Sequence, residues 1–400
     1  MKPQNLAMIV VGSVVGFFTL AGLSVYVAWK QFPAQANNRP FAGRPVWNRQ
    51  MPIIVGKGHM PVIDQVEMPA PNMGGFAAPV AQNKVKEIRG PLAGAGEIKV
   101  SGPHTHDNLS LFLIHGPDTM KGRQVVALHD ALKNGQAVVH DTGVMLSVEN
   151  RTGSDLYLQS GDIVKGGNQD RTLQYDYLIP ANSGRVPLGA FCVEAGRSRP
   201  RGFEPGSVFG SALDQLPGRN LRLANLYKRS QQDVWQGVSK IQNDLKANLG
   251  ESVQSSLSTS SLQLSLENNR LQEAVRNYVQ DLSSIPEGKK DVIGAVVAIN
   301  GRVHSADLYA SAELFRNLYP KLLKAGAIEA LAEPSGIKAD LPTLDSVRGW
   351  LFETDKGNAF RQTVNNRIHM IRQESPGNVL FDTCDRDQNN LVVHRCILVK

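Results

Sequence analysis

The distribution of apolar and polar residues divides the chain into four regions. Leu6 to Trp29 is a run of 24 residues without a charge, and residues 31–96 contain nine prolines and no sustained apolar period. From about residue 97, short apolar runs alternate with Gly, Asn, Asp and Pro, which is typical of strands and turns. After residue 230, apolar residues recur every three or four positions, which predicts helices. The pattern therefore predicts a membrane-length helix, an extended tether, a β-rich part and a helical part.

The β-rich part is expected to form a mainly antiparallel sheet or sandwich, because its short strands follow one another with turn residues between them. Residues 125–133 are predicted to be a helix ended by Asn134-Gly135, and residues 196–227, rich in Gly and Pro, a long loop. The predicted strands are 109–114, 137–139, 144–148, 155–158, 171–179 and 185–194.

The helical part contains a predicted helix over 234–249 and further helices over 271–282 and 312–331. Between them, residues 292–304 predict a hairpin around Asn300-Gly301, and residues 378–400 predict a terminal hairpin. Strands followed by helices indicate the α+β class. We expect residues 97–330 to form an α+β domain and residues 331–400 a C-terminal helical and hairpin extension.

The uncharged run predicts a membrane anchor over residues 1–30. As a helix it would be roughly 36 Å long, enough to cross a bilayer through residues 6–29. An alternative stays open, because Ala34-Gln35-Ala36 fits a signal-peptidase site and predicts export after cleavage near Ala36. The basic residues on both sides of the run leave the orientation unresolved. The Pro-rich residues 31–96 predict a semi-rigid spacer.

The composition and charge of the chain are those of a globular protein. The chain has a net charge of +7 and is 42% hydrophobic and 20% charged, which indicates a globular domain and requires no specific nucleic-acid partner. The basic excess lies at 196–230, where seven Lys and Arg residues oppose two acids. This segment is either a solvated loop or a contact for an anionic partner or lipid headgroups.

A conspicuous block of motif residues lies between residues 149 and 197, built from glycines, charged residues and one cysteine. It resembles a bacterial family, the ARG and rhodanese–phosphatase superfamily-associated protein domain, over about residues 97–330. The residues that carry the resemblance are Glu149-Asn150, Gly161, Gly166-Gly167, Gln169, Arg171, Val186-Pro187, Cys192-Val193-Glu194 and Gly196-Arg197.

This resemblance implies little chemistry, because the family has no established activity. Its name reflects gene association with ADP-ribosylglycohydrolase and rhodanese–phosphatase proteins. The association implies a role near ADP-ribosyl or NAD-derived compounds.

The same residues predict a ligand-binding pocket. Gln169 and Arg171 face one way in a strand, as do Cys192 and Glu194, so paired strands would bring them together. Arg171 would bind a phosphate or carboxylate, and Glu194 would act as a base or hydroxyl acceptor. The alternative is a buried Arg171–Glu194 pair with Cys192 as a core residue. The candidate ligand-binding set is Gln169, Arg171, Glu194, Arg197, Gly166 and Gly167.

Other chemistry is weakly indicated. The histidines from His104 to His140 match no metal-ligand spacing, so neither a metal nor a cofactor is predicted. Cys384 and Cys396 lie on the two arms of the terminal hairpin and could form a disulfide. No catalytic residue is assigned, and whether the chain is an enzyme stays open.

Two functions are consistent with these features. The first is a membrane-tethered binding or scaffolding module, with an unknown protein or anionic small molecule as its partner, which it would contact through the basic segment 196–230. The second is an enzyme or sensor that acts on ADP-ribosyl or NAD-derived phosphorylated compounds.

Overall fold

The computed structural model describes residues 83–84, 98–141, 145–202, 204, 206, 208–211, 216–333, 340–353 and 357–400. All of them belong to one unit of the chain, Met68–Lys400. The predicted anchor, the cleavage site near Ala36 and, apart from Asn83–Lys84, the predicted tether lie outside the described residues. Among the helices that are described, none combines the length and the apolar character needed to cross a membrane.

The described chain is a mixed α+β fold with many short strands. The strands are β1 Asn83–Lys84, β2 Lys99–His106, β3 Leu109–His115, β4 Val125–Ala127, β5 Ala137–Asp141, β6 Leu146–Asn150, β7 Asp155–Leu158, β8 Ile163–Gly166, β9 Arg171–Leu173, β10 Tyr177–Ile179, β11 Ser183–Leu188, β12 Ala190–Cys192, β13 Val208–Ser211, β14 Val292–Ile299, β15 Arg302–Tyr309, β16 Asn358–Thr363, β17 Ile368–Glu374, β18 Asn378–Asp385 and β19 Leu391–Val399. The helices are α1 Leu128–Lys133, α2 Arg219–Arg222, α3 Gln231–Leu249, α4 Leu262–Leu266, α5 Asn269–Leu282, α6 Ala312–Ala332 and α7 Leu344–Glu353, with a π-helical segment Leu223–Lys228 after α2 and a 3₁₀ turn Arg386–Gln388.

Three sheets organise the described strands. The largest has nine strands in the order β1-β16-β17-β18-β19-β15-β14-β3-β2, and every neighbouring pair is antiparallel. The second has seven antiparallel strands in the order β11-β6-β5-β13-β8-β9-β12. The third is a small sheet, β10-β7-β4, in which β4 and β7 run parallel. The predicted antiparallel core is confirmed.

Helices cover both faces of the nine-stranded sheet. One face, with Leu111 and Ala295, packs against helices that include α3, α5 and α6. The other face, with Phe112 and Val296, packs against α7 through Val347. Because successive residues of a strand point to opposite faces, a strand buried on both sides is apolar throughout. The continuous apolar runs of β3 and β14 follow from this arrangement.

Several predicted elements are confirmed. The 292–304 hairpin exists as β14 and β15, and Asn300 and Gly301 have φ angles of 50° and 71°, as a two-residue hairpin turn requires. Helices α3, α5 and α6 match their predicted ranges closely, and Ser230 begins α3 by accepting a hydrogen bond from the Asp233 amide. The terminal hairpin is β18 and β19.

Other predictions need correction. Residues 171–179 are two strands in different sheets, because residues 174–176 turn the chain from the seven-stranded sheet into the three-stranded one. Residues 125–127 form a strand before the short helix α1. The 196–227 segment is more ordered than a loop, since it contains β13, α2 and most of the π-helical segment.

The predicted disulfide is absent. Cys384 and Cys396 are free thiols. In the ladder, Cys384 pairs with Val392 and Cys396 pairs with Phe381. Cys384 packs with the residues of one sheet face and Cys396 with those of the other. Two thiols on opposite faces of one sheet cannot meet, so the expectation based on hairpin position alone is wrong.

Candidate functional site

The six candidate ligand-binding residues lie towards the β12 edge of the seven-stranded sheet, on β8 and β9 and in the segments next to β8, β9 and β12. Strands β9 and β12 pair as expected, but their register places Arg171 opposite Cys192 rather than opposite Glu194. No ion pair joins Arg171 to Glu194 among the described residues. The proposed pocket is therefore divided into two groups, one around Glu194 and one around Arg171.

Glu194 belongs to a group that we call the motif ion cluster, which consists of Asp170, Glu194, Arg197, Arg201 and Ser261. The Glu194 carboxylate accepts hydrogen bonds from Arg197 Nε at 2.5 Å and Arg201 Nη1 at 3.4 Å. Asp170 accepts one from Arg201 Nη2 at 2.8 Å and one from the Ser261 hydroxyl at 3.0 Å. Both carboxylates are fully buried. The cluster joins the glycine turn at Gly166-Gly167 to Ser261, the residue that precedes α4.

The glycine turn is held closed by the same cluster. Arg197 Nη1 donates to the Gly167 carbonyl at 2.9 Å and Nη2 to the Gly166 carbonyl at 3.2 Å, and the Gly166 amide donates to Asp170 at 3.0 Å. Gly167 has a φ of 53°, and a Cβ there would lie 2.6 Å from Phe209 Cζ. The turn therefore needs glycine for its conformation and its packing, and the Gly166 amide already has an acceptor.

Burial sets the direction of the pKa shift of Asp170 in this cluster. It raises the pKa of Asp170 above its usual value, although the Gly166 amide and the Arg201 guanidinium both act to lower this pKa. An ion cluster of this kind costs free energy to desolvate and is stable only if every member is paired. Four of the six predicted ligand-binding residues, Glu194, Arg197, Gly166 and Gly167, lie in this sealed structural unit.

The remaining two predicted residues form a separate group with Cys192, which we call the Arg171 patch. Arg171 Nη1 donates to Gln169 Oε1 at 2.9 Å and also contacts the Cys192 thiol. All three side chains are partly buried. In the part of the chain that the structure describes, no carboxylate forms an ion pair with Arg171. The Gln231 side chain bonds both the amide and the carbonyl of Cys192, which caps this edge strand.

Cys192 is poorly suited to be a nucleophile. Burial raises the pKa of its thiol, and the positive charge of Arg171 offsets only part of that rise. The reactive form of cysteine is the thiolate, so this thiol stays largely protonated at neutral pH.

Comparison with known families decides the relationship suggested by these motif residues. A family model, the ARG and Rhodanese-Phosphatase-superfamily-associated Protein domain, matches residues 97–397. The chain belongs to this family. Neither a curated protein nor a solved structure matches the chain. The matched range extends beyond residue 330 and includes most of the terminal strands, so the family domain contains both the motif residues and the whole of α6.

The basic segment of the family domain is largely neutralised by its own acids. Arg197 and Arg201 belong to the motif ion cluster. Further along, Arg219 pairs with Glu329, Arg222 with Asp307 and Lys228 with Asp233. Arg199 is exposed, and no ion pair joins it to any described residue. The segment is therefore not the freely available cationic surface that its composition predicts.

A second buried network of the family domain was missed by sequence reasoning. His394 lies between two carboxylates, with Nδ1 2.7 Å from Asp176 Oδ2 and Nε2 3.0 Å from Asp307 Oδ1. Arg222 donates to Asp307 at 2.9 Å, and the Tyr309 ring stacks on the imidazole at 4.5 Å. These residues come from four distant parts of the chain, so their spacing gives no signal in the sequence.

Proposed function

We propose that the chain is a membrane-anchored binding module whose folded domain contacts an anionic group of its partner through Arg171. The observation that supports this is the contrast among the arginines of the motif region. Arg197 and Arg201 are paired with buried carboxylates, whereas the described partners of the Arg171 side chain are an amide oxygen and a thiol. A partly buried guanidinium without a carboxylate retains donors for a ligand.

The chemistry of the Arg171 patch suits binding better than catalysis. A guanidinium can grip a phosphate or carboxylate through two parallel hydrogen bonds. The amide nitrogen of Gln169 can add a third donor, because its oxygen is already used by Arg171. The protonated Cys192 thiol supplies no nucleophile. The patch therefore has the groups for holding an anion and lacks an activated group beside it.

A titration with small anions tests this proposal. The full-length chain in detergent is titrated with inorganic phosphate, ADP-ribose and NAD, and binding is followed by calorimetry and thermal shift. Since a charged hydrogen bond contributes about 1.5–3 kcal/mol, Arg171→Ala should weaken binding by roughly 10-fold or more. Arg185→Ala, which removes an exposed arginine of β11, is the matched control and should leave binding unchanged. Equal binding by wild type and Arg171→Ala at low salt would refute the proposal.

The second candidate function is an enzyme or sensor for ADP-ribosyl or NAD-derived phosphorylated compounds. It is favoured by the association recorded in the family name and would use the same Arg171 patch. The titration separates the two candidates. ADP-ribose or NAD binding much more tightly than inorganic phosphate supports the sensor, whereas equal affinity for all three supports a general anion contact.

The membrane anchor in this proposal rests on the 24 uncharged residues from Leu6 to Trp29. Expression with C-terminal detection and alkaline extraction of membranes tests it. A retained anchor leaves the full-length chain in the membrane pellet and releases a chain that begins at residue 37. Mass spectrometry that finds a mature N-terminus near Asn37 would instead establish cleavage and export.

A further inference from the structure

Three ligand-type side chains meet where β15 packs near the end of α6. His304 lies on β15, and Glu329 lies on α6, with Glu333 at its C-terminal cap. His304 Nδ1 is 3.3 Å from Glu329 Oε1, and His304 Nε2 is 3.6 Å from Glu333 Oε2. One ligand atom from each of the three residues lies within 4.8 Å of the others. The set belongs neither to the motif ion cluster nor to the Arg171 patch.

Two of the three side chains, those of His304 and Glu329, are buried within regular secondary structure. His304 is 4% exposed in the middle of the nine-stranded sheet, and Glu329 is 7% exposed on the inner face of α6. Glu329 and Glu333 are four residues apart, so they project from the same side of the helix end. The Arg219 amide fixes Glu329 Oε2 with a hydrogen bond of 3.1 Å. Ligands placed on a strand and a helix are positioned more precisely than ligands on loops.

A narrow cleft borders Glu329, which is the one member of the set that lines it. Glu329, Arg222 and Asp307 line it together with apolar residues of α6 and β14, and its cavity volume is about 20 Å³, which is room for about one water molecule. Arg222 is 5% exposed, and its Nε has no hydrogen-bond partner among the described residues. A buried donor without a partner requires an explanation, and a water in the cleft would provide one.

We propose that His304, Glu329 and Glu333 bind one first-row divalent cation of the Zn²⁺ type. Imidazole and carboxylate ligands together suit Zn²⁺ and its neighbours better than Mg²⁺, which prefers an all-oxygen shell with several waters. Three protein ligands leave the fourth position of a tetrahedral site for a water. This inference is independent of anion binding at the Arg171 patch.

The competing explanation is that His304 simply bridges two carboxylates by hydrogen bonds, with Arg219 as the counter-charge of Glu329. Arg219 Nε lies 3.6 Å from Glu329 Oε1, so this guanidinium competes with any cation for the same oxygen. The two explanations therefore predict opposite effects of removing Arg219. Loss of the Arg219 side chain should strengthen cation binding at a true site and should only loosen the protein if no site exists.

The test is a calorimetric titration of the full-length chain, stripped with a chelator in detergent, with Zn²⁺, Mn²⁺ and Mg²⁺. We expect one Zn²⁺ per chain, with weaker Mn²⁺ binding and no resolved Mg²⁺ binding. Glu333→Gln changes the most exposed ligand and should lower Zn²⁺ affinity at least 10-fold. Glu313→Gln, an exposed glutamate at the start of the same helix, is the matched control and should not change it.

Folding and metal binding are separated by a second measurement. The melting temperature of Glu333→Gln in chelator should equal that of the wild type, and Zn²⁺ should raise only the wild-type value. Arg219→Ala should bind Zn²⁺ more tightly than the wild type. The proposal is overturned if stoichiometric Zn²⁺ binding is not observed, if Glu333→Gln binds as well as Glu313→Gln, or if Arg219→Ala binds less tightly than the wild type.

Discussion

At the residue scale, buried charges in this domain are satisfied by ion-pair partners on, or next to, other helices and strands. Lys321, which is 3% exposed, pairs with Asp162, and the fully buried Arg395 donates two hydrogen bonds of 2.7 Å to Asp382. Because an unpaired buried charge costs several kcal/mol, each pair specifies which segments may pack together. The paired charges of this domain therefore act mainly in fixing its architecture, and Arg171 differs from Arg197 and Arg201 because no ion pair joins it to a described carboxylate.

His394 is the buried group whose charge should affect stability near physiological pH. Burial by itself lowers the pKa of His394, but the charges of Asp176 and Asp307 outweigh it and raise the pKa to about 9. The unfolded value is 6.5. A group with a raised folded pKa contributes stability that is complete below its unfolded pKa and is lost as the pH rises through its folded pKa.

We therefore expect the free energy of unfolding to fall by about 3 kcal/mol as the pH rises from 6.5 to just above 9. Urea unfolding at a series of pH values in this range measures it. His394→Gln should abolish most of the slope, whatever its absolute stability. A wild-type stability that stays level or rises over this range would contradict the assignment.

At the element scale, hydrophobic periodicity predicted the helices and the long hairpins well and predicted sheet membership poorly. Helix α3 and the β14–β15 hairpin were recognisable because their signals are local: one apolar face, or an Asn-Gly turn between apolar runs. The division of residues 171–179 between two sheets depends on which distant strands pair with each half. Local hydrophobic periodicity does not determine which strands pair.

The candidate site was predictable only in part for the same reason. The motif residues were found, but their grouping depends on the β9–β12 register, which places Cys192 rather than Glu194 opposite Arg171. Asp170 lies between Gln169 and Arg171 in the sequence, but its carboxylate is buried and bonds to Arg201 and Ser261 instead. In a strand, Asp170 faces the opposite side from Gln169 and Arg171, and this alternation is the signal in the sequence that an acidic side chain is buried there. His304, Glu329 and Glu333 meet only through tertiary packing.

The motif ion cluster makes a sharp prediction at this scale. Arg201→Ala would leave the fully buried carboxylates of Asp170 and Glu194 with only one of their two arginines. Removing one partner from a buried ion network typically costs about 3–5 kcal/mol. The control is Arg199→Ala, because Arg199 is exposed and should contribute close to nothing.

Chemical unfolding of the two variants provides the measurement. We expect a large decrease in the denaturant midpoint for Arg201→Ala and almost none for Arg199→Ala. Similar midpoints for the two variants would show that the cluster is not needed for stability. The motif residues would then again be candidates for a binding pocket.

At the scale of the whole molecule, the terminal strands are part of the core rather than an addition to it. Strand β19 lies between β15 and β18 in the nine-stranded sheet. It also carries His394 and Arg395, which neutralise the buried Asp307 and Asp382. The family match through residue 397 agrees with this placement. Sequence motifs end near residue 197, but the folded unit needs the last strand.

This arrangement predicts how truncation affects folding. A chain of residues 97–400 should unfold in one cooperative thermal transition, because it keeps the strands β2 to β19. A chain of residues 97–340 loses β16 to β19, so it exposes the edge of β15 and leaves Asp307 without His394. Unpaired edges and unpaired buried charges favour aggregation and unfolding.

Circular dichroism melts and size-exclusion chromatography of the two truncated chains check this expectation. The longer chain should elute as a folded species with a sharp melt, and the shorter chain should aggregate or melt without cooperativity. A monomeric 97–340 chain with a cooperative transition would show that the first four-fifths of the family domain folds alone. In that event β16 to β19 would be a separable extension, and the His394 network would serve to dock it rather than to complete the core.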